Sequence, residues 1–175
     1  MTFIGIISDN KSFDEIKENI PLENMKLIHI NNKSIDNIKN ITFETIIINK
    51  KLNNLEEKIN IIENICNKSK YLIINTDIKL DLNLDNNKKI NIITYGLNQK
   101  ATVTISSITD NSILIDLQRN IKNKFGKIIE VGEKQVKTGE ISNKRTYEIL
   151  IIYIILAIYN KRIILKTQEN SNFFE

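Results

Sequence analysis

Two of the side chains that often perform catalysis are scarce in this chain of 175 residues, which contains one histidine, His29, and one cysteine, Cys66. A single Cys cannot form an internal disulfide, and a single His cannot supply a multi-histidine metal site. Any Ser-His or Cys-His nucleophile would depend on His29, which lies in an apolar segment with no sequence relation to Cys66. We therefore predict structural roles for both residues, no catalytic residue and no metal site.

Basic residues are concentrated in one part of an otherwise balanced chain. Lys and Arg number 25 against 21 Asp and Glu, a net charge of +4. A basic groove with stacking aromatic residues would bind single-stranded nucleic acid, but only Phe125, beside Gly126, is interleaved here. A solvated hairpin is the preferred interpretation, and nucleic acid is not an expected partner. The basic residues are Arg119, Lys122, Lys124, Lys127, Lys134, Lys137, Lys144 and Arg145.

Length and composition indicate one folded domain. The chain is 41% hydrophobic and 26% charged, which argues against wholesale disorder. Residues 1–8 lack a basic start and a small-residue cleavage site, so no signal peptide is expected. The longest apolar run, Ile149 to Tyr159, is shorter than the ~20 residues that a membrane helix needs. We expect a cytoplasmic protein without a membrane segment.

Apolar segments that alternate with helical patterns predict an α/β fold with a mainly parallel sheet covered by helices. Ser12-Phe13-Asp14-Glu15 has the form of a capping box and predicts a helix that ends before Pro21. Apolar residues at helical spacing predict a second helix over residues 54–67. The predicted strands are residues 2–8, Met25–Ile30, Thr45–Asn49, Tyr71–Asn75 and Ile90–Tyr95.

Later strands follow one another without helices, which predicts a small antiparallel β patch. Thr102, Thr104 and Ser106 alternate with apolar residues, as in a strand with one face in water. The predicted strands here are Ala101–Ser107, Ser112–Leu117, Asn120–Lys124 and Lys127–Val136.

The carboxy-terminal part of the sequence predicts a buried helix over Arg145–Asn160 and a last strand over Arg162–Lys166. Residues after Thr167 are mostly polar. We expect a single α/β domain over residues 1–166 and a polar tail over residues 167–175.

In order and spacing, several of these segments resemble the central domain of the Mur ligases, which join amino acids to peptidoglycan precursors using ATP. The resemblance covers roughly residues 43–165 and extends more weakly to the amino terminus, and it implies a P-loop-related fold. The segments that carry it are Phe43–Asn49, Tyr71–Asp77, Ile93–Gly96, Ala101–Val103 and Ser142–Leu150.

The resemblance implies a phosphate-binding loop of Gly-Thr-Asn-Gly-Lys-Thr type after the first strand, where backbone N–H groups cradle phosphates. This chain has Ser8-Asp9-Asn10-Lys11-Ser12 there. Lys11 and Ser12 match the family, Asn10 replaces a Gly but tolerates a left-handed backbone, and Asp9 would repel a phosphate. Two interpretations stay open: a degenerate loop that binds phosphate through Asn10, Lys11 and Ser12, or Ser12 acting only as a helix cap.

Other family elements are replaced. Lys50 and Lys51 follow Asn49 where the family has Asp-His, whose His serves a metal. Arg145 and Glu148 replace the Asn pair that meets adenine in the family. The family's amino-terminal UDP-sugar domain and carboxy-terminal amino-acid domain have no counterpart in the sequence.

Two functional hypotheses follow. The first is a non-catalytic, Mur-ligase-like binding or regulatory module with a protein partner and no cofactor, linked to cell-wall or spore-envelope metabolism. The alternative is a nucleotide-binding protein or residual ATP-dependent ligase that uses residues 8–12 with ATP and Mg²⁺. We expect a monomer or a weak homodimer, the latter formed through the sheet edge or the Phe173-Phe174 tail.

Overall fold

The structure, a computed structural model, describes residues 1–50, 55–137 and 145–161. The strands are β1 (Thr2–Ile7), β2 (Met25–Ile30), β3 (Thr45–Ile48), β4 (Tyr71–Asn75), β5 (Asn91–Tyr95), β6 (Val103–Ile108), β7 (Ser112–Leu117), β8 (Ile121–Lys122), β9 (Ile128–Ile129) and β10 (Gly132–Lys137). The helices are α1 (Asn10–Asn19), α2 (Leu55–Asn67) and α3 (Thr146–Ile158), with a short 3₁₀ turn at Ile35–Asn37.

Eight strands form one sheet in the order β10-β7-β6-β5-β4-β3-β1-β2. Every neighbouring pair from β2 to β6 is parallel, whereas β7 pairs antiparallel with both β6 and β10. Strands β8 and β9 form a separate antiparallel hairpin. The predicted α/β class with a mainly parallel sheet and a later antiparallel part is confirmed.

Isoleucine fills both faces of the sheet. Because neighbouring residues of a strand point to opposite faces, Ile47 belongs to one hydrophobic core while Ile46 and Ile48 belong to the other. Helices α1 and α3 cover the Ile47 face, and α2 with the 3₁₀ turn covers the opposite face. Strands buried on both sides explain why the β3 and β4 segments are continuously apolar rather than alternating.

Helix α3 lies almost entirely inside the protein, as its sequence predicts. Eleven of its thirteen residues are buried, in keeping with apolar residues on all sides. Glu148 is the one charged residue of this helix. No helix in the described part of the chain is long and apolar enough to cross a membrane.

The predicted water-exposed face around β6 is confirmed at Ser106 and wrong at Thr102 and Thr104. Ser106 is exposed, but Thr102 and Thr104 are buried. Strand β6 lies inside the sheet between β5 and β7, and the Thr102 backbone N–H donates to Thr94 Oγ1 at 2.8 Å. Local hydrogen bonding therefore satisfies a polar residue whose alternation suggested contact with water.

Two other predicted strands differ in extent, and the first of them, Asn120–Lys124, is shortened to β8 (Ile121–Lys122). Residues 127–136 form β9 and β10 rather than one strand, because residues 130–131 separate them and β10 begins at Gly132, which has a φ of +135°. The predicted hairpin at Gly126 is confirmed, with a φ of +85° at the turn. The strand predicted over Arg162–Lys166 and the tail over residues 167–175 lie outside the described residues.

Candidate functional site

The carboxyl ends of β1 and β3 form the place in this topology where a ligand site is expected. Strand β1 lies between β2 and β3, so the chain leaves its carboxyl end for one side of the sheet and returns on the other. In open α/β sheets, ligands bind at such a switch point. The two ends are joined here, because the backbone N–H groups of Asn49 and Lys50 both lie within hydrogen-bonding distance of Ile7 O, at 2.9 and 3.3 Å.

Asp9, not Ser12, caps helix α1, so the predicted capping role of Ser12 is wrong. Asp9 has an extended backbone, and its carboxylate accepts a hydrogen bond from the Ser12 N–H at 2.9 Å. That hydrogen bond lowers the pKa of Asp9, and the Lys50 ammonium group, 3.3 Å away, lowers it further. Strand β1 ends at Ile7. Two residues later, Asp9 has the extended backbone that is typical of an N-cap residue.

Ser12 points inward and joins two elements that are distant in sequence. Its hydroxyl donates to Glu148 Oε1 in the first turn of α3 and accepts from Asn49 Nδ2 at 2.8 Å. Asn49 Oδ1 in turn accepts from the Tyr95 hydroxyl at 2.7 Å. We call these four residues, Glu148, Ser12, Asn49 and Tyr95, the carboxyl-edge network.

The carboxyl-edge network contains a buried carboxylate. Glu148 is only 8% exposed, and its Oε2 has no hydrogen-bond partner among the residues that the structure describes. Burial raises the pKa of Tyr95, and the negative charge of Glu148 raises it further. Burial likewise raises the pKa of Glu15, where the attraction of Arg145, 2.8 Å away, is opposed by the charge of Glu148.

A second polar cluster fastens α3 to the ends of β4 and β5. Asp77 Oδ2 accepts hydrogen bonds from the Leu97 N–H at 2.6 Å and the Tyr147 hydroxyl at 3.0 Å, and Asp77 Oδ1 accepts one from Asn98 Nδ2 at 2.7 Å. The Asp77 N–H donates to Asn75 Oδ1 at 2.9 Å, so the two residues form a turn at the end of β4. These hydrogen bonds hold the first turn of α3 next to the carboxyl-edge network.

The candidate residues Asn10, Lys11 and Ser12 form the first turn of α1. Asn10 and Lys11 are exposed, whereas Ser12 is buried. Lys11 forms no ion pair with any residue that the structure describes. The three residues are adjacent, but their side chains do not converge on one point, because the Ser12 hydroxyl is held by Glu148 and Asn49.

His29 and Cys66 have structural surroundings. The His29 ring stacks on Phe13, with ring centroids 4.6 Å apart, and its Nε2 lies 2.9 Å from the Ser8 carbonyl oxygen, to which it can donate. Cys66 is a buried free thiol, and burial raises its pKa to about 12. Within the described ranges, no three His, Cys, Asp or Glu side chains are grouped so that they could hold a metal ion.

Two carboxylates lie where an anionic ligand would meet the start of α1. A helix N-terminus attracts anions through its free N–H groups and its dipole. Here the Asp9 carboxylate accepts a hydrogen bond from the Ser12 N–H, and the Glu148 carboxylate accepts one from the Ser12 hydroxyl. An incoming phosphate would have to displace both hydrogen bonds and approach two negative charges.

Sequence reasoning missed the part of Glu148 and Tyr95 in this site. One signal was available, since Glu148 is a single charge within an apolar helix, and a buried charge needs a partner. Neither a family model nor a curated protein matches this chain.

Proposed function

We propose that this protein is a non-catalytic binding module, built on a scaffold that resembles the Mur ligase central domain, which recognises a protein partner and not a nucleotide. The observation that carries the proposal is the hydrogen bond between Ser12 and the buried carboxylate of Glu148. In the resembled family, the residue in the place of Ser12 serves phosphate and Mg²⁺. Here the hydroxyl of Ser12 instead donates a hydrogen bond to a carboxylate of the same chain.

The surroundings of Ser12 support a stable closed arrangement. Asn49 donates to the Ser12 hydroxyl, and Tyr95 donates to Asn49, so the network reaches from α3 across the ends of β3 and β5. Buried polar groups that are mutually hydrogen-bonded keep a defined geometry. Opening the site for a phosphate would break these hydrogen bonds. It would also require helix α3, which carries Glu148, to move, although this Ile-rich helix is packed in the core.

The second candidate function is nucleotide binding at residues 8–12. The exposed ammonium group of Lys11 favours it, because this lysine stands in the first turn of a helix and forms no ion pair within the described residues. Lysine at that place contacts phosphates in phosphate-binding loops. Asp9 opposes it, since its carboxylate already caps the helix.

A thermal-shift titration with ATP or GTP and Mg²⁺ separates the two functions. A nucleotide at about a hundred times its Kd would stabilise the protein by ~2.7 kcal/mol. We expect no shift at millimolar nucleotide. Lys17→Ala, on the last turn of the same helix, serves as the matched control for Lys11→Ala. A shift that Lys11→Ala abolishes and Lys17→Ala retains would contradict our proposal and establish the alternative.

A further inference from the structure

An open cavity of about 770 Å³ lies at the amino-terminal ends of the central strands, on the opposite side from the carboxyl-edge network. It is bounded by the first residues of β4 and β5 and by the β8–β9 hairpin, whose turn is formed by residues 123–126. Its volume is in the range of ordinary ligand pockets. It is separate from the carboxyl-edge network, because β4 and β5 each run from one edge of the sheet to the other.

Hydrogen bonds fix the backbone of the turn that carries an exposed aromatic residue at this cavity. Phe125 is 70% exposed, yet Asn123 Oδ1 accepts hydrogen bonds from the N–H groups of both Phe125 and Lys127, each at 2.9 Å. Asn123 is itself buried, and the Lys124 N–H donates to Ile158 O at the end of α3 at 3.0 Å. Because the backbone of this turn is already fixed by hydrogen bonds, the turn loses little conformational entropy when Phe125 contacts a ligand.

The charge of the cavity is positive. Lys89, Lys122 and Lys124 line it, and none of the described residues lining it is acidic. Lys124 is already neutralised by Glu44, 2.9 Å away. Lys89 and Lys122 are exposed and form no ion pair within the described part of the chain, so both remain available to a negative ligand.

An exposed aliphatic side chain on the same hairpin, with a second one just after it in the chain, indicates the class of ligand. Ile128 in β9 is 56% exposed, and Val131, two residues after β9, is 58% exposed. Proteins that bind single-stranded nucleic acid usually offer several aromatic rings for successive bases to stack on, whereas Phe125 is the one aromatic residue of this hairpin. Apolar side chains of a polypeptide would pack on Phe125 and on such aliphatic side chains, and its carboxylates would pair with the lysines.

We propose that this cavity and hairpin bind an acidic polypeptide segment of a partner protein, whose carboxylates pair with Lys89 and Lys122 and whose apolar side chains pack on Phe125. The proposal rests on the proposed function as a binding module and gives that module its partner surface. The interaction is a charge-steered contact, so its affinity falls as salt is added.

The test is a titration of the ¹⁵N-labelled full chain, followed by amide chemical shifts. The probe is a synthetic peptide of about ten residues in which Glu alternates with Leu, a length that extended or helical docking segments use. The control probe has Gln in place of Glu. We expect the Glu peptide to shift the amides of residues 89–91 and 121–128, and the Gln peptide to leave them unchanged.

Variants connect the shifts to the named side chains. Lys89→Glu with Lys122→Glu should weaken binding of the Glu peptide by about tenfold, as expected for two lost surface ion pairs and the repulsion that replaces them. Phe125→Ser should weaken it as well. Lys33→Glu with Lys39→Glu, on exposed residues that do not line the cavity, makes the same change of net charge and should leave binding within about twofold.

Several outcomes would overturn the inference. Shifts that occur elsewhere, an equal effect of the Gln peptide, or equal losses in both lysine pairs would each refute it. Absence of any shift at millimolar Glu peptide would do so too. Oligouridylate that binds through Lys89, Lys122 and Phe125 while the Glu peptide does not would assign the cavity to nucleic acid instead. None of these results bears on the nucleotide titration, which tests the proposed function by itself.

Discussion

The Ser12 hydroxyl donates to the carboxylate of Glu148, 136 residues away in sequence. This single bond connects the first turn of α1 to the first turn of α3 and lies at the edge of the core shared by both helices. Glu148 stands in the first turn of α3, where the helix dipole favours a negative charge. The carboxylate is thus stabilised by its own helix and by a hydroxyl from a neighbouring one.

Removing the Ser12 hydroxyl should destabilise the protein more when Glu148 is present than when it has been replaced by an apolar residue. We expect Ser12→Ala to lower the free energy of unfolding by about 2–3 kcal/mol, because it leaves a buried carboxylate without its donor. In a Glu148→Leu background, the same Ser12→Ala change should cost less than about 1 kcal/mol, since no buried charge remains. Urea unfolding of the four proteins in this double-mutant cycle measures the coupling. Equal costs in both backgrounds would show that the bond contributes nothing to stability.

The cap of α1 provides a second prediction. Asp9→Ala should lower the free energy of unfolding by about 1 kcal/mol, because the Ser12 N–H loses its acceptor. Asp9→Asn keeps a capping oxygen and is the matched control, with a smaller loss. Urea unfolding at neutral pH distinguishes them. If Asp9→Ala is as stable as the wild type, Asp9 does not cap this helix.

The charge of the cap makes part of the stability depend on pH. The pKa of Asp9 in the folded protein lies below its ordinary value of 3.8, chiefly because the carboxylate accepts the Ser12 N–H. A lowered folded pKa stabilises the protein above the ordinary value, and that contribution is lost as the pH falls through the folded pKa. The stability difference between the wild type and Asp9→Asn should therefore shrink from neutral to acidic pH. A difference that is constant with pH would contradict this.

The strands were more predictable than the site because strand patterns are local. The bounds of β4 and β7 agree with the sequence prediction, since each apolar segment ends at turn residues. The pattern Ser12-Phe13-Asp14-Glu15 places the start of α1 too late, because the residue that caps the helix is Asp9. No local pattern shows that Glu148 turns the Ser12 side chain inward. The carboxyl-edge network joins four segments that no local pattern connects.

Cys66 should report unfolding. The thiol is fully buried, and burial raises its pKa to about 12, so the reactive thiolate is scarce at neutral pH. We expect its reaction with a disulfide reagent to be at least about a thousandfold slower in the folded protein than in urea, following the population of unfolded chains. Lys39→Cys in a Cys66→Ala background places one thiol at an exposed position and should react at the same rate in both conditions. Fast modification of Cys66 in the folded wild type would contradict its burial.

Gly96 is the residue at which an added methyl group should disturb the ends of β4 and β5. A Cβ there would lie 2.7 Å from Thr76 Oγ1 and 2.9 Å from Asp77 Oδ2. Asp77 cannot simply rotate away, because its carboxylate holds Leu97, Asn98 and Tyr147 by hydrogen bonds. We expect Gly96→Ala to lower the free energy of unfolding by about 1–3 kcal/mol, as overpacking does elsewhere.

Asn98→Ala is the matched control for Gly96→Ala, because it removes the hydrogen bonds from Asn98 Nδ2 to Thr76 and Asp77 without adding an atom. Its loss of stability in urea unfolding should be the smaller of the two. The Tyr147 hydroxyl adds a second readout: Asp77 holds the pKa of Tyr147 above its ordinary value, after the larger effect of burial. Displacing the Asp77 carboxylate should therefore lower the pH at which this tyrosine ionises, measured by ultraviolet absorbance against a Tyr147→Phe reference. Gly96→Ala that alters neither stability nor this titration would show that the turn has room for the methyl group.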